Sequence, residues 1–398
     1  MATLFDTTRI KSMELKNRFV RSATHEGMSD GDGYPTPKLL NLYERLAKGG
    51  VGLIITGFAS VSRDGKCMFS GMQGIDSDGH IPKYRELVDR VHGAGAKIAM
   101  QIAHCGRQTH RDVIGVQPIA PSRVLDTSTL VMPREMTEED IERVIEAFAR
   151  AAWRVRESGF DAVELHGAHG YLISGFLCSH TNRRKDRWGG SVENRMRFVA
   201  EIYRRCRRAV GDDYPILVKI SATDSMRKGI TIGESAVMAR MMSDMGFDGI
   251  EVSCGIGEDR FTMLRGDLPV EAILQTWDIF RKKNVLYRLT MKHFGRMIVR
   301  PMAFTQAYNR EAARVIRESV RVPVFLVGGL TEPAVMEDVI ASGDADYISL
   351  CRALIADPKL PERIRGGSKE PSRCIHCNLC LGYLGTRPVA CYHGKLLS

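Results

Sequence analysis

The chain has 398 residues, 44% hydrophobic and 26% charged, which allows a sizeable core and excludes a disordered composition. Its formal net charge is +10, but no basic run is interleaved with aromatics as binders of single-stranded nucleic acid require. The N-terminus MATLFDTTRIKSMELKNRF has no apolar signal core, and no run reaches membrane-spanning length. A cytoplasmic, reducing setting is therefore expected, with neither nucleic acid nor membrane as partner.

Short apolar runs bounded by Gly, Pro or charge recur along the chain. They are RFVRSA (18–23), VGLIITG (51–57), KIAMQIAH (97–104), DAVELHG (161–167), PILVKIS (215–221), DGIEVSC (248–254), PVFLVGG (323–329) and DYISLCR (346–352). Their nearly continuous hydrophobicity predicts parallel strands covered on both faces. Helical patterns lie between most of them. TPKLLNLYERLAKGG ends in glycines, as a helix C-terminus does. TEEDIERVIEAFARAAWRVRESGF opens with Thr137 as N-cap and with acidic residues in its first turn. NREAARVIRESV and EPAVMEDVIASG behave alike. Eight βα units predict an α/β fold, a (β/α)₈ TIM barrel over residues 1–362. No G-x-G-x-x-G follows the first strand, which argues against an open doubly wound sheet. Residues 105–136 and 255–310 are too long for plain connections and are expected to cover the active-site face. The composition changes at RIRGGSKEPSR (363–373), so residues 363–398 read as a short C-terminal Cys-rich extension.

In such a barrel, residues at the C-terminal strand ends face the active site. The first strand delivers Ser22, Ala23, Thr24 and His25, the second Phe58, and the third Gln101. His166, His169 and Tyr171 follow the fourth. Lys219 sits in an otherwise apolar fifth strand and needs an anionic partner, either a structural carboxylate or an anionic reduced cofactor. Gly328 and Gly329 end the seventh strand, and Cys351 and Arg352 the eighth. Glycines there let a backbone approach a phosphate, and they also serve in plain tight turns. His166 and His169 are open to three readings: metal ligands lacking an obvious third partner, hydrogen-bonded core histidines, or donors to a carbonyl oxygen beside a Tyr171 acid.

Six of the ten cysteines are scattered and read as small buried hydrophobes. The other four, Cys374, Cys377, Cys380 and Cys391, have the spacing C-x₂-C-x₂-C-x₁₀-C. Four thiolates so placed suit a 4Fe–4S cluster or a structural zinc, and the tight triplet favours the cluster.

The motifs LKNRFVRSA, DGDGYPT, QIAHCGR, APS, GFDAVELHGAHGYLISGFL and TNRRKDRWGGSVENRMRF resemble the old yellow enzyme family of FMN-dependent ene-reductases. The resemblance extends to about residue 362. It implies that Ser22, Ala23, Thr24, His25, Phe58, Gln101 and Lys219 line the flavin. It implies that Gly328, Gly329, Cys351 and Arg352 hold the FMN phosphate. His166 and His169 would bind the substrate oxygen, and Tyr171 would give a proton. The tail is similar to that of 2,4-dienoyl-CoA reductase and, more closely, trimethylamine dehydrogenase. The latter has a flavin-linking cysteine where this chain has His25, and Tyr where it has His166. Non-covalent FMN is therefore expected, and amine oxidation is disfavoured.

The expected function is NAD(P)H-linked reduction of carbonyl-activated C=C bonds in a small-molecule substrate. The alternative is a dehydrogenase or demethylase passing electrons from FMN through the cluster to an electron-transfer partner. A third reading is a barrel without catalysis whose metal-binding tail mediates interactions. The cluster-bearing relatives continue into nucleotide-binding domains, whereas this sequence stops at Ser398. A cluster is then expected to be structural, to serve an external partner, or to be replaced by zinc. A homo-oligomer is compatible with the chain.

Overall fold

A computed structural model of the chain describes residues 2–260 and 262–394. The last residues of the expected tail, 395–398, lie outside the described residues. Eight parallel strands close on themselves. They are β1 (Phe19–Arg21), β2 (Leu53–Ile55), β3 (Lys97–Ala103), β4 (Ala162–Gly167), β5 (Ile216–Ser221), β6 (Gly249–Ser253), β7 (Val324–Val327) and β8 (Tyr347–Leu350). Each pairs with the next, and β8 returns to β1 through Ile348 and Phe19. This is the (β/α)₈ barrel that the strand count predicts.

The helices α1 (Pro37–Lys48), α2 (His80–Gly93), α3 (Glu138–Glu157), α4 (Val192–Val210), α5 (Ile232–Met245), α6 (Arg310–Ser319) and α7 (Pro333–Ser342) follow the first seven strands. The sequence of α3 explains its limits. Thr137 and Asp140 form a reciprocal capping box, and Arg154 and Arg156 occupy the last turn. Such a cap contributes about 1 kcal/mol. Ile141, Val144, Ile145, Phe148, Ala152 and Val155 recur at helical spacing and are buried.

Strand alternation separates two apolar regions. Val163, Leu165, Val218, Ile220, Ile250 and Val252 pack outward in the core shared with the helices. Ala162, Leu217, Phe325 and Tyr347 fill the lower barrel interior. A hairpin of Thr8–Ile10 and Met13–Leu15 plugs that end, with Ile10, Met13 and Leu15 packed into the same cluster. Above this layer the interior turns polar. Gln101, Glu164, His166, Lys219 and Glu251 are all buried there. The strands are therefore less continuously apolar than their sequences suggest, because every second position near the top faces the barrel interior rather than a helix.

Segment 255–310 contains the helices Val270–Thr276, Asp278–Arg281 and Val285–Val299 and arches over the upper face. No helix among the described residues is long and apolar enough to cross a membrane.

Candidate active site

A cavity of about 270 Å³ opens at the C-terminal end of the strands. Every strand-end residue singled out in the sequence lines it: Ser22, Ala23, Thr24 and His25; Phe58; Gln101; His166, His169 and Tyr171; Lys219; Gly328 and Gly329; Cys351 and Arg352.

Strand register builds the floor. Gln101 on β3 stands opposite Glu164 on β4, His166 opposite Lys219 on β5, and Lys219 opposite Glu251 on β6. Partners in register project to the same face, so the four strands yield a continuous polar layer. Gln101 Nε2 donates to Glu164 Oε2 at 2.5 Å. Lys219 Nζ lies 2.6 Å from Glu251 Oε2 and donates to Ser22 Oγ at 3.0 Å. The lysine thus has the structural carboxylate that its apolar strand demanded. Burial raises the Glu164 carboxyl to about 8; the Glu251 charge adds to the rise, while Lys219 opposes it.

His166 and His169 meet edge to face, with ring centroids 5.2 Å apart, and Tyr171 stands 4.9 Å from the His166 ring. Burial is the main force holding both imidazoles neutral, and the Lys219 charge reinforces it. His169 falls to about 3. His169 Nε2 hydrogen-bonds Ser253 Oγ at 2.7 Å. Its backbone is left-handed, with φ +62°, and is clamped on both sides. The N–H donates to Ser221 Oγ at 3.0 Å, and the C=O accepts from Gln108 Nε2 at 2.7 Å. Burial also lifts the Tyr171 hydroxyl well above its usual range, so it stays protonated. Phe58 packs against both His166 and Tyr171. His25 packs against Phe58 and Phe69.

His166 Nδ1 and Ser349 Oγ are buried, line this cavity, and have no hydrogen-bond partner among the described residues. Buried polar atoms left open in a cavity are where a ligand completes the bonding. A lining richer in apolar than polar surface, with an amide, an ammonium and two imidazoles, fits a flat heterocycle with one polar edge, as in FMN.

Gly328 and Gly329 both take backbone conformations that favour glycine. Their φ values are +129° and +71°. A Cβ on Gly328 would meet Tyr308 Cε2 at 2.6 Å, and one on Gly329 would strike the Thr305 carbonyl. The Thr305–Tyr308 segment of this chain adds to the need for glycine there, and both residues border the cavity. Arg352 likewise has a protein partner: Nη1 donates to Asn378 Oδ1 at 2.6 Å and to the Arg265 carbonyl at 2.7 Å.

The four tail cysteines, Cys374, Cys377, Cys380 and Cys391, line one small hollow beside Arg352, which borders both that hollow and the main cavity. As placed, no three His, Cys, Asp or Glu side chains among the described residues form a ready metal cage. The donor set itself, four thiols around one space, is that of a cluster or zinc site. Asn378, left-handed at φ 55°, donates to the carbonyls of Leu264 and Asp267, at 2.9 and 2.8 Å.

Sequence reasoning missed Glu164 and Glu251. Each is a lone carboxylate in an apolar strand, the same signal that marked Lys219. Tyr308, Trp277 and Phe69 also line the cavity, and they come from loops with no periodic pattern.

The profile of the NADH:flavin oxidoreductase / NADH oxidase family matches residues 3–255 and 281–370. The NADH oxidase of Thermoanaerobacter brockii is 37% identical over 383 residues, which covers 95% of this chain and 53% of that protein. The NADPH dehydrogenase of Geobacillus sp. (strain WCH70) is 33% identical over 359 residues, 90% of this chain and 92% of that one. The structure of 2-naphthoyl-CoA reductase with 2-naphthoyl-CoA superposes with a TM-score of 0.83 at 26% identity, covering 97% of this chain and 56% of the other. The chain thus spans about half the length of the Thermoanaerobacter protein and of that solved structure. With the barrel, the strand-end residues and these matches together, the chain belongs to the NADH:flavin oxidoreductase / NADH oxidase family, the old yellow enzyme family.

Proposed function

We propose that the chain carries an FMN-dependent, NAD(P)H-linked reduction of carbonyl-activated C=C bonds in small molecules such as enones or enoyl thioesters. The observation that carries this reading is the trio His166, His169 and Tyr171, two neutral imidazoles and a protonated phenol gathered over a floor that holds the buried Lys219–Glu251 ion pair. FMN, when bound, supplies the hydride taken from the nicotinamide. The chain supplies position and charge. Gln101, Lys219 and Ser22 offer hydrogen bonds at the polar edge of the floor. Arg352 and the backbone at Gly328, Gly329 and Cys351 are the candidates for the phosphate.

His166 and His169 donate N–H bonds to the substrate carbonyl, stabilising the negative charge that develops on its oxygen. Neutral rings can donate in this way without adding a second buried cation next to Lys219. Tyr171 then gives its proton to the α-carbon. Phe58 and the aromatic wall exclude water. The thioester option draws support from the 2-naphthoyl-CoA reductase neighbour.

In the same reading, residues 1–362 carry the flavin chemistry in a reducing cytoplasm. Cys374, Cys377, Cys380 and Cys391 in residues 363–398 hold a 4Fe–4S cluster. The decisive experiment is anaerobic. NADH or NADPH should bleach the flavin absorbance of the purified protein, and an enone or enoyl thioester should restore it with formation of the saturated product. Bleaching that neither substrate class reverses would overturn the C=C reading.

A further inference from the structure

The helix Val285–Val299 belongs to the segment that arches over the barrel, and it is apolar on two sides. One side is held by the protein. Gly295 is buried against Val270, and Val299 packs on the cluster of Leu268, Ile273 and Trp277. Tyr287 stacks on Phe280 with ring centroids 6.4 Å apart, and Phe280 stacks on Trp277 at 6.1 Å. Trp277 lines the cavity, so the helix and the cavity roof are one packed unit.

The other side meets solvent. Val285, Leu286, Leu289, Phe294, Met297 and Ile298 are 49–75% exposed. At 3.6 residues per turn, Leu286, Leu289, Phe294 and Met297 share one face. Single exposed apolar side chains are ordinary, but a contiguous patch along one helix marks a surface that is covered in use.

Charge says what covers it. Residues 279–304 hold seven Lys or Arg and no Asp or Glu. Arg281, Lys282 and Lys283 precede the helix. Lys292 and Arg296, one turn apart, run along one edge of the apolar face, and Arg300 stands at the C-terminus. All six are exposed. Arg281 pairs with Asp278 at 2.7 Å and Lys292 with Glu271 at 3.0 Å, both exposed pairs that water and salt weaken. Among the described residues no ion pair holds Lys282, Lys283, Arg296 or Arg300. A second copy meeting this face about a two-fold axis would set like charges against each other. A polyanion without acyl chains would take the charges and leave the apolar face in water. Anionic lipid satisfies both, with headgroups for the cations and acyl chains for the apolar face.

We propose that the helix Val285–Val299, with Arg281–Lys283 before it, lies in the surface of an anionic lipid bilayer and holds the barrel there. Its axis runs along the membrane plane. Leu286, Leu289, Phe294 and Met297 enter the acyl boundary, while Lys292, Arg296 and Arg300 extend their stems to keep their charges among the headgroups. Spanning length, on which the expectation of no membrane partner rests, does not bear on an interfacial helix, which needs a face rather than a length. The cavity is carried against the lipid with its roof. The docking is independent of which substrate the cavity takes.

The test uses the full chain with its flavin bound and sucrose-loaded vesicles of roughly three parts phosphatidylcholine to one of phosphatidylglycerol. The expected result is co-sedimentation with these vesicles, little with phosphatidylcholine alone, and weakening as salt rises. The double variant Leu286→Glu, Met297→Glu should lower the partition coefficient at least about tenfold, while NAD(P)H still bleaches the flavin at the wild-type rate. Phe294→Trp keeps the apolar face, and its fluorescence should be quenched by brominated acyl chains more strongly than that of the wild type. The wild-type comparison of the two vesicles stands even if a variant fails to fold. No co-sedimentation with the anionic vesicles overturns the proposal, and so does equal binding to both. Partition that the double variant leaves unchanged overturns it too, because the net charge of +10 would then act from elsewhere on the chain. A wild-type dimer that the double variant dissolves assigns the face to a second copy, with the same consequence.

Discussion

Lys219 Nζ and Glu251 Oε2 lie 2.6 Å apart, on side chains 2% and 1% exposed. A buried pair so placed is costly to break from one side. Lys219→Met should lower stability by about 3–5 kcal/mol, read by urea unfolding of the flavin-loaded protein. Glu251→Gln should cost less, because Glu164 is close enough to feel both partners and can ionise in its place. The infrared carboxyl band of Glu164 should then vanish at neutral pH. Its persistence would show that Lys219 does not turn to Glu164.

The same carboxyl gives a pH dependence. Glu164 is raised from 4.5 to about 8 in the folded chain. The stability that its neutral form confers is complete below pH 4.5 and is lost as pH rises to about 8. Glu164→Gln should flatten this part of the curve of thermal midpoint against pH. An unchanged slope would assign it to other groups.

His169 combines a depressed pKa, from 6.5 to about 3, with a left-handed backbone. The neutral buried ring confers stability above pH 6.5 that is lost as pH falls toward about 3. His169→Asn removes this acid sensitivity while tolerating the backbone. His169→Val should be less stable than the Asn variant by roughly 1–2 kcal/mol at pH 7, since a β-branched residue resists this conformation. Equal urea midpoints for the two variants would count against a backbone constraint.

Tyr171→Phe should slow reoxidation by an enone about 10²–10⁴-fold and spare reduction by NAD(P)H. Stopped-flow absorbance separates the two half-reactions. Equal damage to both would remove Tyr171 from the proton-donor role.

Metal analysis decides the tail. Anaerobically purified protein should contain about four iron atoms and four sulfides per chain. Cys377→Ser should lower both. Zinc without iron would replace the cluster with a structural zinc.

The barrel was legible because each strand is an apolar run bracketed by Gly, Pro or charge, and because Thr137 marks the start of α3. The site was legible as strand ends. What escaped was pairing. Lys219 announced a partner, but Glu251 becomes that partner only through the register of β5 with β6. The sequence does not show that Tyr308 and Thr305 pack against Gly328 and Gly329, which adds a second demand for glycine there. Segment 255–310 stayed unread for a related reason. Its helix Val285–Val299 exposes Val285, Leu286 and Met297 at 70–75%, so apolar spacing there does not trace a buried face.

Asn378 is one amide shared by three parts of the chain: the Leu264–Asp267 cover, the Arg352 strand end and the Cys-rich segment. None of the three can open without breaking bonds to the other two. Backbone amides around Leu264, Arg352 and Asn378 should therefore exchange their hydrogens as one cooperative unit. A fault in the cysteine segment would then be felt first as a loosened roof over the barrel.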